Sequence, residues 1–246
     1  MTDTISSWIN VRDQIATWAD LAGLVEKYRA NRWIFRGVSD SSHTLLPGIG
    51  RPGTRKDLDT GADLPFDAEE EIYSLARFQR EVQPHTSRHG QSAITHDWEL
   101  VAVAQHHGLK TRLLDWSESP LIAAYFAVEP AGIVNGKRVD AALYGVSCPF
   151  AVSSATASWP DEHDVVAYFP PHVTPRITVQ RALFTAHRTP DRAWESASIR
   201  KWSIPSDACI HIKLALNRAG INRASLFPDP DGIAAHINWL YKWGVR

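Results

Sequence analysis

Two polar segments carry the side chains that could bind or activate a substrate. One is Phe35-Arg36-Gly37. The other runs from Gln105 to Ser117 and holds two imidazoles, two cations, a carboxylate and an indole within thirteen positions. Polar groups at this density are costly in an apolar core unless they satisfy each other or a ligand. We therefore expect the two segments to meet in space and to form one wall of the deepest pocket.

Arg36 follows two strand-forming aromatic and β-branched residues and precedes Gly37. The missing side chain of Gly37 lets a ligand or another stretch of backbone approach closely. This arrangement suits a guanidinium that reaches into a cleft from the end of a strand. The alternative is a structural Arg36 that pairs with Asp115 or another carboxylate to hold the fold together.

The second segment has its own alternatives. Arg112 and Asp115 are three positions apart and would reach each other in a helical turn, either as a structural pair or as part of a catalytic site. Trp116 could stack on a base or on nicotinamide, or it could pack into the core.

His106 and His107 are adjacent, so on a helix they point about 100° apart and cannot both bind one metal ion. Each could be a buried hydrogen-bonding group, or it could contact a ligand or transfer a proton. Cys148 and Cys209 are the only cysteines and lie far apart in the sequence. No Cys/His or carboxylate cluster has ligand spacing, and we expect no metal.

Composition narrows the class of protein. A chain of 246 residues with 44% hydrophobic content can form one domain. Its net charge of -1 argues against binding of nucleic acid through an extended basic surface. No stretch approaches the roughly 18 apolar residues of a membrane span. Together with the two cysteines, this predicts a soluble, reduced, cytoplasmic protein without a membrane partner.

Residue patterning predicts an α+β fold with a helix-rich N-terminal half and a strand-rich C-terminal half around one mixed or antiparallel sheet. Long polar loops are expected at 48–65 and 80–95. Helices are predicted to begin after Thr17, Asp67 and Ser119, and to cover 97–107, 206–220 and the C-terminal segment that follows an Asp229 cap. Strands are predicted at 33–35, 141–146, 165–169 and 176–185.

An ordered series of motifs resembles the FRG domain, a family named for its Phe/Tyr-Arg-Gly motif and defined by sequence rather than by activity. The resemblance implies a single FRG domain over 1–246 with a helical C-terminal extension from about 206 to 246. The motifs are Phe35-Arg36-Gly37, Gln105-His106-His107-Gly108, Thr111-Arg112-Leu113-Leu114-Asp115-Trp116, Ser119-Pro120, Ala124-Tyr125-Phe126-Ala127, Arg176-Ile177 with Gln180 and Phe184, and Leu226-Phe227-Pro228-Asp229 with Asp231-Gly232.

The order of elements also resembles, more loosely, ADP-ribosyltransferases of the Arg-Ser-Glu class. The resemblance implies that Arg36 holds NAD, that Thr111 or Ser117 stands for the central Ser/Thr motif, and that Gln180 occupies the position of the late Glu. A neutral Gln cannot supply the anion that stabilises an oxocarbenium-like transition state. Either Asp115 substitutes for it, or the reaction differs, or the chain binds a nucleotide without turning it over.

The leading hypothesis is therefore an ADP-ribosyltransferase-like domain that uses NAD as substrate, without metal, and modifies a protein or nucleic-acid acceptor in a toxin or phage-defence setting. The alternatives are a non-catalytic module that recognises a nucleotide or a partner, and a metal-independent nuclease or hydrolase that uses His107. The acceptor, the oligomeric state and the presence of enzymatic activity stay open. The predicted catalytic residues are Arg36, Thr111, Asp115 and Gln180, and the predicted NAD-binding residues are Phe35, Arg36, Gly37, His107, Arg112, Trp116 and Ser117.

Overall fold

The computed structural model describes residues 13–29, 32–86, 97–149, 151–152, 162–170 and 179–245. A short 3-10 helix at Gly48–Gly50 lies in the first long loop. The described helices are α1 (Trp18–Lys27), α2 (Ala68–Thr86), α3 (Asp97–His106), α4 (Pro120–Val128), α5 (Ser206–Arg218), α6 (Arg223–Leu226) and α7 (Pro230–Trp243). The strands are β1 (Trp33–Val38), β2 (Leu113–Ser117), β3 (Ile133–Val134), β4 (Lys137–Arg138), β5 (Ala141–Ser147), β6 (Ala151–Val152), β7 (Val165–Tyr168), β8 (Ala182–His187) and β9 (Arg200–Ile204).

The fold is α+β, as predicted, around one mainly antiparallel sheet. Seven strands follow the order β6-β7-β8-β2-β1-β5-β9, and only β6 and β7 run parallel. Helices and strands are less separated along the chain than we expected. The central strands β1 and β2 come from the first half, whereas three helices end the chain.

Side chains alternate between the two faces of the sheet, and different elements pack on each face. On one face, Phe35 and Leu143 pack with α1, α4 and α5, while Leu113 and Phe184 pack with Trp98 of α3. On the other face, a separate group of strand residues that includes Ile34 and Leu114 packs against Leu45, Trp194 and Ile199 of the loops. The helical face is therefore covered by two separate helix groups.

The two helix groups part above the seam between β1 and β2. All six residues of β1 pair with β5, and all five residues of β2 pair with β8. Between β1 and β2, in contrast, only Phe35 and Ser117 are in register. The sheet is therefore incompletely paired at its centre, and polar side chains complete the seam.

Gly37 lies on this central strand because a helix needs the space. A Cβ atom at Gly37 would lie 1.9 Å from the Ala123 carbonyl oxygen and 2.6 Å from the Ala127 amide nitrogen. Of the two uses expected for this glycine, the structure shows the close approach of backbone, which here is that of α4. The glycine lets α4 press directly onto β1.

The predicted helix boundaries rest on caps that the structure contains. Thr17 and Asp20 form a capping box at α1, and the Ser119 side chain accepts a hydrogen bond from the Ile122 amide at the start of α4. Asp229 caps α7 through the Gly232 amide. Gly108 ends α3 with a φ of 92°, a left-handed conformation that favours glycine.

Three boundaries differ from the prediction. α2 continues to Thr86, so the loop expected from 80 to 95 is helical over its described part. β1 extends to Val38, and Arg36 therefore lies inside the strand rather than at its end. β8 begins at Ala182, so Gln180 lies in the turn before the strand. Residues 171–178, where the predicted strand began, and His89 and His96 lie outside the described residues.

None of the described helices is both long and apolar enough to cross a membrane. Within the same residues, no cluster of three or more His, Cys, Asp or Glu side chains could hold a metal ion.

Candidate functional site

A cavity of about 490 Å³ lies over the β1–β2 seam, between α3 and α4. This volume falls within the range of pockets that enclose drug-sized ligands, about 300–1,000 Å³. Gln105 and His106 of α3 form one side, and Ala123 and Phe126 of α4 form the other. The remaining wall comprises Phe35, Arg36, Gly37, Val38, Ser39, His43, Arg51, Asp115, Trp116, Ser117, Gln180, Ala182, Phe184 and Phe227.

Arg36 bridges the seam. Its Nη1 donates to the Asp115 carbonyl oxygen at 2.6 Å and lies 3.5 Å from the Asp115 carboxylate. The stronger contact is therefore with the backbone of β2, where pairing with β1 has stopped. Burial lowers the pKa of Arg36, the nearby charge of Asp115 opposes this, and Arg51 lowers it further. Two guanidinium groups thus approach each other at one wall of the cavity.

Asp115 keeps an accessible carboxylate although it has two neighbours. Its side chain is 57% exposed, compared with 15% for Arg36. Besides the long contact with Arg36, its Oδ2 accepts a hydrogen bond from Gln105 Nε2 at 3.1 Å. Gln105 in turn accepts from the Thr111 hydroxyl at 2.7 Å, and that hydroxyl also accepts from the Leu113 amide. The buried Thr111 thus orients Gln105, which orients Asp115.

Arg112 does not pair with Asp115, because 113–117 form a strand and not a helical turn. Arg112 instead binds Glu71 of α2, with Nε 3.0 and 3.1 Å from the two carboxylate oxygens and Nη2 in close contact with one of them. The Glu71 side chain is 2% exposed. This bidentate pair fixes α2 to the start of β2 and is structural in character.

Trp116 lies mostly on the opposite face of the sheet, 3% exposed. Its Nε1 donates to the Thr185 hydroxyl at 2.8 Å, and that hydroxyl lies 2.9 Å from Nε2 of the buried His187. Since Thr185 already accepts from Trp116, its own proton can go to His187, which would then be neutral with a proton on Nδ1. Burial, assisted by the charge of Arg36, lowers the pKa of His187 to about 3.

Ser117 and Gln180 close the cavity at the other end of β2. The Ser117 hydroxyl donates to the Gln180 carbonyl at 2.8 Å and accepts from the Ser119 amide. The Gln180 side chain donates through Nε2 to the Leu226 carbonyl at 3.0 Å. A carboxylate at position 180 would face that carbonyl without a proton to share, so this position is adapted to an amide.

The FRG domain family model matches residues 31–132, which include β1, α3, β2 and α4. The chain carries an FRG domain. Searches of curated proteins and of solved structures returned no match. The matched stretch contributes Arg36, Arg51, Gln105 and Asp115 to the cavity, so all of its charged guanidinium and carboxylate groups lie within the matched residues.

Seven of the predicted site residues lie at the cavity: Phe35, Arg36, Gly37, Asp115, Trp116, Ser117 and Gln180. Three do not line it. Thr111 is fully buried and acts on Asp115 only through Gln105, and Arg112 is bound to Glu71. His107 is exposed on the end of α3, where its ring approaches Phe78.

Sequence reasoning missed Arg51, His43 and Gln105 as site residues. Gln105 was visible as the first residue of the Gln-His-His-Gly motif, but its role depends on the distance between α3 and β2. Arg51 and His43 lie in loops, where no periodic pattern indicates the direction of a side chain. The aromatic residues Phe126, Phe184 and Phe227 were recognised as motif members but not as parts of a cavity.

Proposed function

We propose that the central cavity of this FRG domain binds a nucleotide, specifically NAD, and that the bound NAD is the donor in an ADP-ribosyl transfer. The observation that carries the proposal is the combination of Arg36 and Arg51 in one wall of a cavity whose other walls contain aromatic rings. Guanidinium groups bind phosphate oxygens through paired N–H donors, and aromatic rings accept the faces of bases.

The unused N–H donors of Arg36 support a contact with an anion. Among the described residues, the hydrogen bonds of Arg36 use only Nη1, which leaves Nε and Nη2 to a ligand. Arg51 donates through Nε to the Leu46 carbonyl, which fixes its stem and leaves its two terminal nitrogens. A pyrophosphate between the two guanidinium groups would relieve their mutual repulsion.

Asp115 is the candidate for the anion that the reaction needs. It contributes the only carboxylate among the cavity residues that the structure describes, and more than half of its side chain is exposed. In the proposed transfer, the bond between the ribose C1′ and the nicotinamide nitrogen breaks, and its electron pair leaves with nicotinamide. The acceptor nucleophile forms the new bond to C1′ and loses its proton to water. A carboxylate near C1′ stabilises the positive charge that develops on the ribose.

Release of nicotinamide on incubation with NAD tests this function. The intact chain should release nicotinamide, and Asp115→Asn should reduce the rate by about 100-fold or more while NAD still binds, a loss typical of removing one stabilising group. Asp207→Asn is the matched control, because Asp207 is exposed at the start of α5 and away from the cavity. No release above the level without protein, or equal rates for both variants, would contradict the catalytic part.

A second candidate, a recognition module that binds the nucleotide without turnover, is favoured by a separate observation. The hydroxyls of Thr111 and Ser117, which the transferase resemblance places in the central motif, both donate to partners within the protein. Such a module would bind NAD with a measurable affinity and release no nicotinamide. The exposed position of His107 outside the cavity does not favour the hydrolase alternative.

A further inference from the structure

A second cavity, of about 120 Å³, lies between α4 and the C-terminal helices. Tyr125 and Glu129 of α4 form its floor. Lys213 of α5, Arg223 of α6 and the pair His236 and Trp239 of α7 contribute to its sides. It shares no lining residue with the central cavity.

Unpaired polar atoms are concentrated in this second cavity. Four buried side-chain nitrogen or oxygen atoms in the described part of the chain have no hydrogen-bond partner. Three of them belong to cavity residues: the Tyr125 hydroxyl, Arg223 Nε and Trp239 Nε1. The Tyr125 hydroxyl also lies beside the Arg223 guanidinium, which can donate to it but cannot accept its proton. Tyr125 is only 1% exposed. Since buried polar groups are nearly always paired in folded proteins, three in one place indicate a ligand that accepts hydrogen bonds.

The charges around the second cavity favour an anion. Lys213 and Arg223 bring two positive charges, and Glu129 brings one negative charge that Arg223 Nη1 contacts at 3.2 Å. Lys213 is only 7% exposed. Its ammonium donates to the Glu129 carbonyl and lies 5.0 Å from the centre of the Trp239 ring. It has three protons, so it can donate to a ligand as well.

The unpaired atoms are suited to donate. Indole Nε1 and guanidinium Nε have a proton and no lone pair to offer. Burial and the charge of Glu129 raise the pKa of Tyr125, while the charge of Arg223 and a hydrogen bond from its side chain oppose them, so the hydroxyl keeps its proton at neutral pH. The volume is well below the 300–1,000 Å³ of drug-sized sites and excludes a nucleotide.

We propose that the second cavity binds a small oxyanion, held by the Tyr125 hydroxyl, Arg223 Nε, Trp239 Nε1 and the Lys213 ammonium. A phosphate group and a carboxylate group share the chemistry that these donors recognise. The site is independent of the central cavity and does not depend on the function proposed for it.

Calorimetric titration of the full chain with inorganic phosphate, and separately with acetate, tests the proposal and distinguishes the two sources. At least one of the anions should bind with a millimolar or lower dissociation constant. Tyr125→Phe should weaken that binding about tenfold or more, because it removes one hydrogen bond to a charged acceptor and keeps the ring.

Tyr168→Phe provides the matched control. Its hydroxyl is the fourth unpaired buried atom, but Tyr168 belongs to β7 and packs in the core beside α3. This variant should bind the anion as the parent does. Without anion, Tyr125→Phe should melt at the parent temperature or above it, since it removes an unpaired buried hydroxyl.

Three results would overturn the proposal. One is the absence of binding of either anion to the parent chain. Another is an affinity that Tyr125→Phe leaves unchanged. The third is a lowered melting temperature of Tyr125→Phe without anion, which would mean that contacts within the protein, such as that with Arg223, already satisfy the hydroxyl.

Discussion

Two Arg–carboxylate pairs flank β2, and they differ in almost every physical respect. Arg112 and Glu71 form a bidentate contact in which the carboxylate is 2% exposed, whereas the carboxylate of the Arg36–Asp115 pair is 57% exposed and lies 3.5 Å away. The first pair buries its carboxylate, and both carboxylate oxygens accept from the guanidinium. The second leaves an accessible anion and unused N–H donors beside a cavity. Completeness of pairing therefore separates an ion pair that holds the fold from one available to a ligand.

The largest effect should come from breaking the buried pair. Glu71→Ala removes the buried carboxylate that binds the Arg112 guanidinium, and we expect a loss of about 3–5 kcal/mol in the free energy of unfolding. Chemical denaturation followed by circular dichroism measures it. Glu70→Ala, an exposed neighbour on the same helix, should change the stability by less than about 0.5 kcal/mol. Similar losses of unfolding free energy in both variants would contradict the structural role assigned to the Arg112–Glu71 pair.

The pH dependence of the stability tests whether His187, buried near Arg36, is excluded from water. The pKa of His187 is about 3 in the folded protein and near 6.5 in the unfolded chain. Between these values the unfolded chain binds a proton that the folded protein does not. The stability should therefore fall as the pH is lowered through this window, by up to about 1.4 kcal/mol per pH unit from this group.

The His187→Gln variant isolates that contribution. It should show a shallower decrease in stability between about pH 6 and pH 4, where the histidine effect operates. Denaturation curves of the two proteins across this range provide the comparison. Parallel curves would mean that His187 titrates normally and is in contact with water.

Arg36→Ala should have a moderate effect on stability. It removes a charged donor from the Asp115 carbonyl, and we expect a loss of about 1–3 kcal/mol. The Asp115 carboxylate is exposed enough to be hydrated, so the full penalty of an isolated buried charge does not arise. A loss as large as that of Glu71→Ala, measured in the same denaturant series, would show that the two pairs are alike and would refute the comparison.

The smallest effect on stability should come from Asp115→Asn. The side chain is mostly exposed and its ion pair is long, so the change should stay within about 0.5 kcal/mol. Thermal melting and the nicotinamide assay together measure this variant. A stable protein without turnover separates function from folding at the same residue, whereas a strongly destabilised Asp115→Asn would place this carboxylate among the structural groups.

The fold was predictable where local chemistry decides the structure. The caps at Thr17, Ser119 and Asp229 gave the helix starts because each side chain satisfies amides within its own first turn. The strands Leu113–Ser117, Ala151–Val152 and Arg200–Ile204 were missed for a physical reason: they are short and take their strand character from neighbours distant in sequence. The hairpin at Ile133–Arg138 could have been found, since Asn135-Gly136 is a strong signal for a two-residue turn.

The candidate site was predictable in its members more than in its contacts. The density of polar groups around Asp115 indicated that this segment would meet Arg36, and the structure brings the two within hydrogen-bond distance. The partner of Arg112 could not be predicted, because Glu71 lies 41 positions away on another helix. The same holds for Gln105, whose amide reaches Asp115 only after α3 packs on β2.

Binding of NAD to the cavity residues tests the central claim most directly. Calorimetric titration should show one NAD site on the intact chain and an affinity about 10 to 100 times weaker for Arg51→Ala, which removes a charge-assisted contact from an exposed loop residue. Arg138→Ala, an exposed guanidinium in the hairpin away from the cavity, should bind NAD as the parent does. An intact chain that does not bind NAD, or equal affinities for the two variants, would contradict the account.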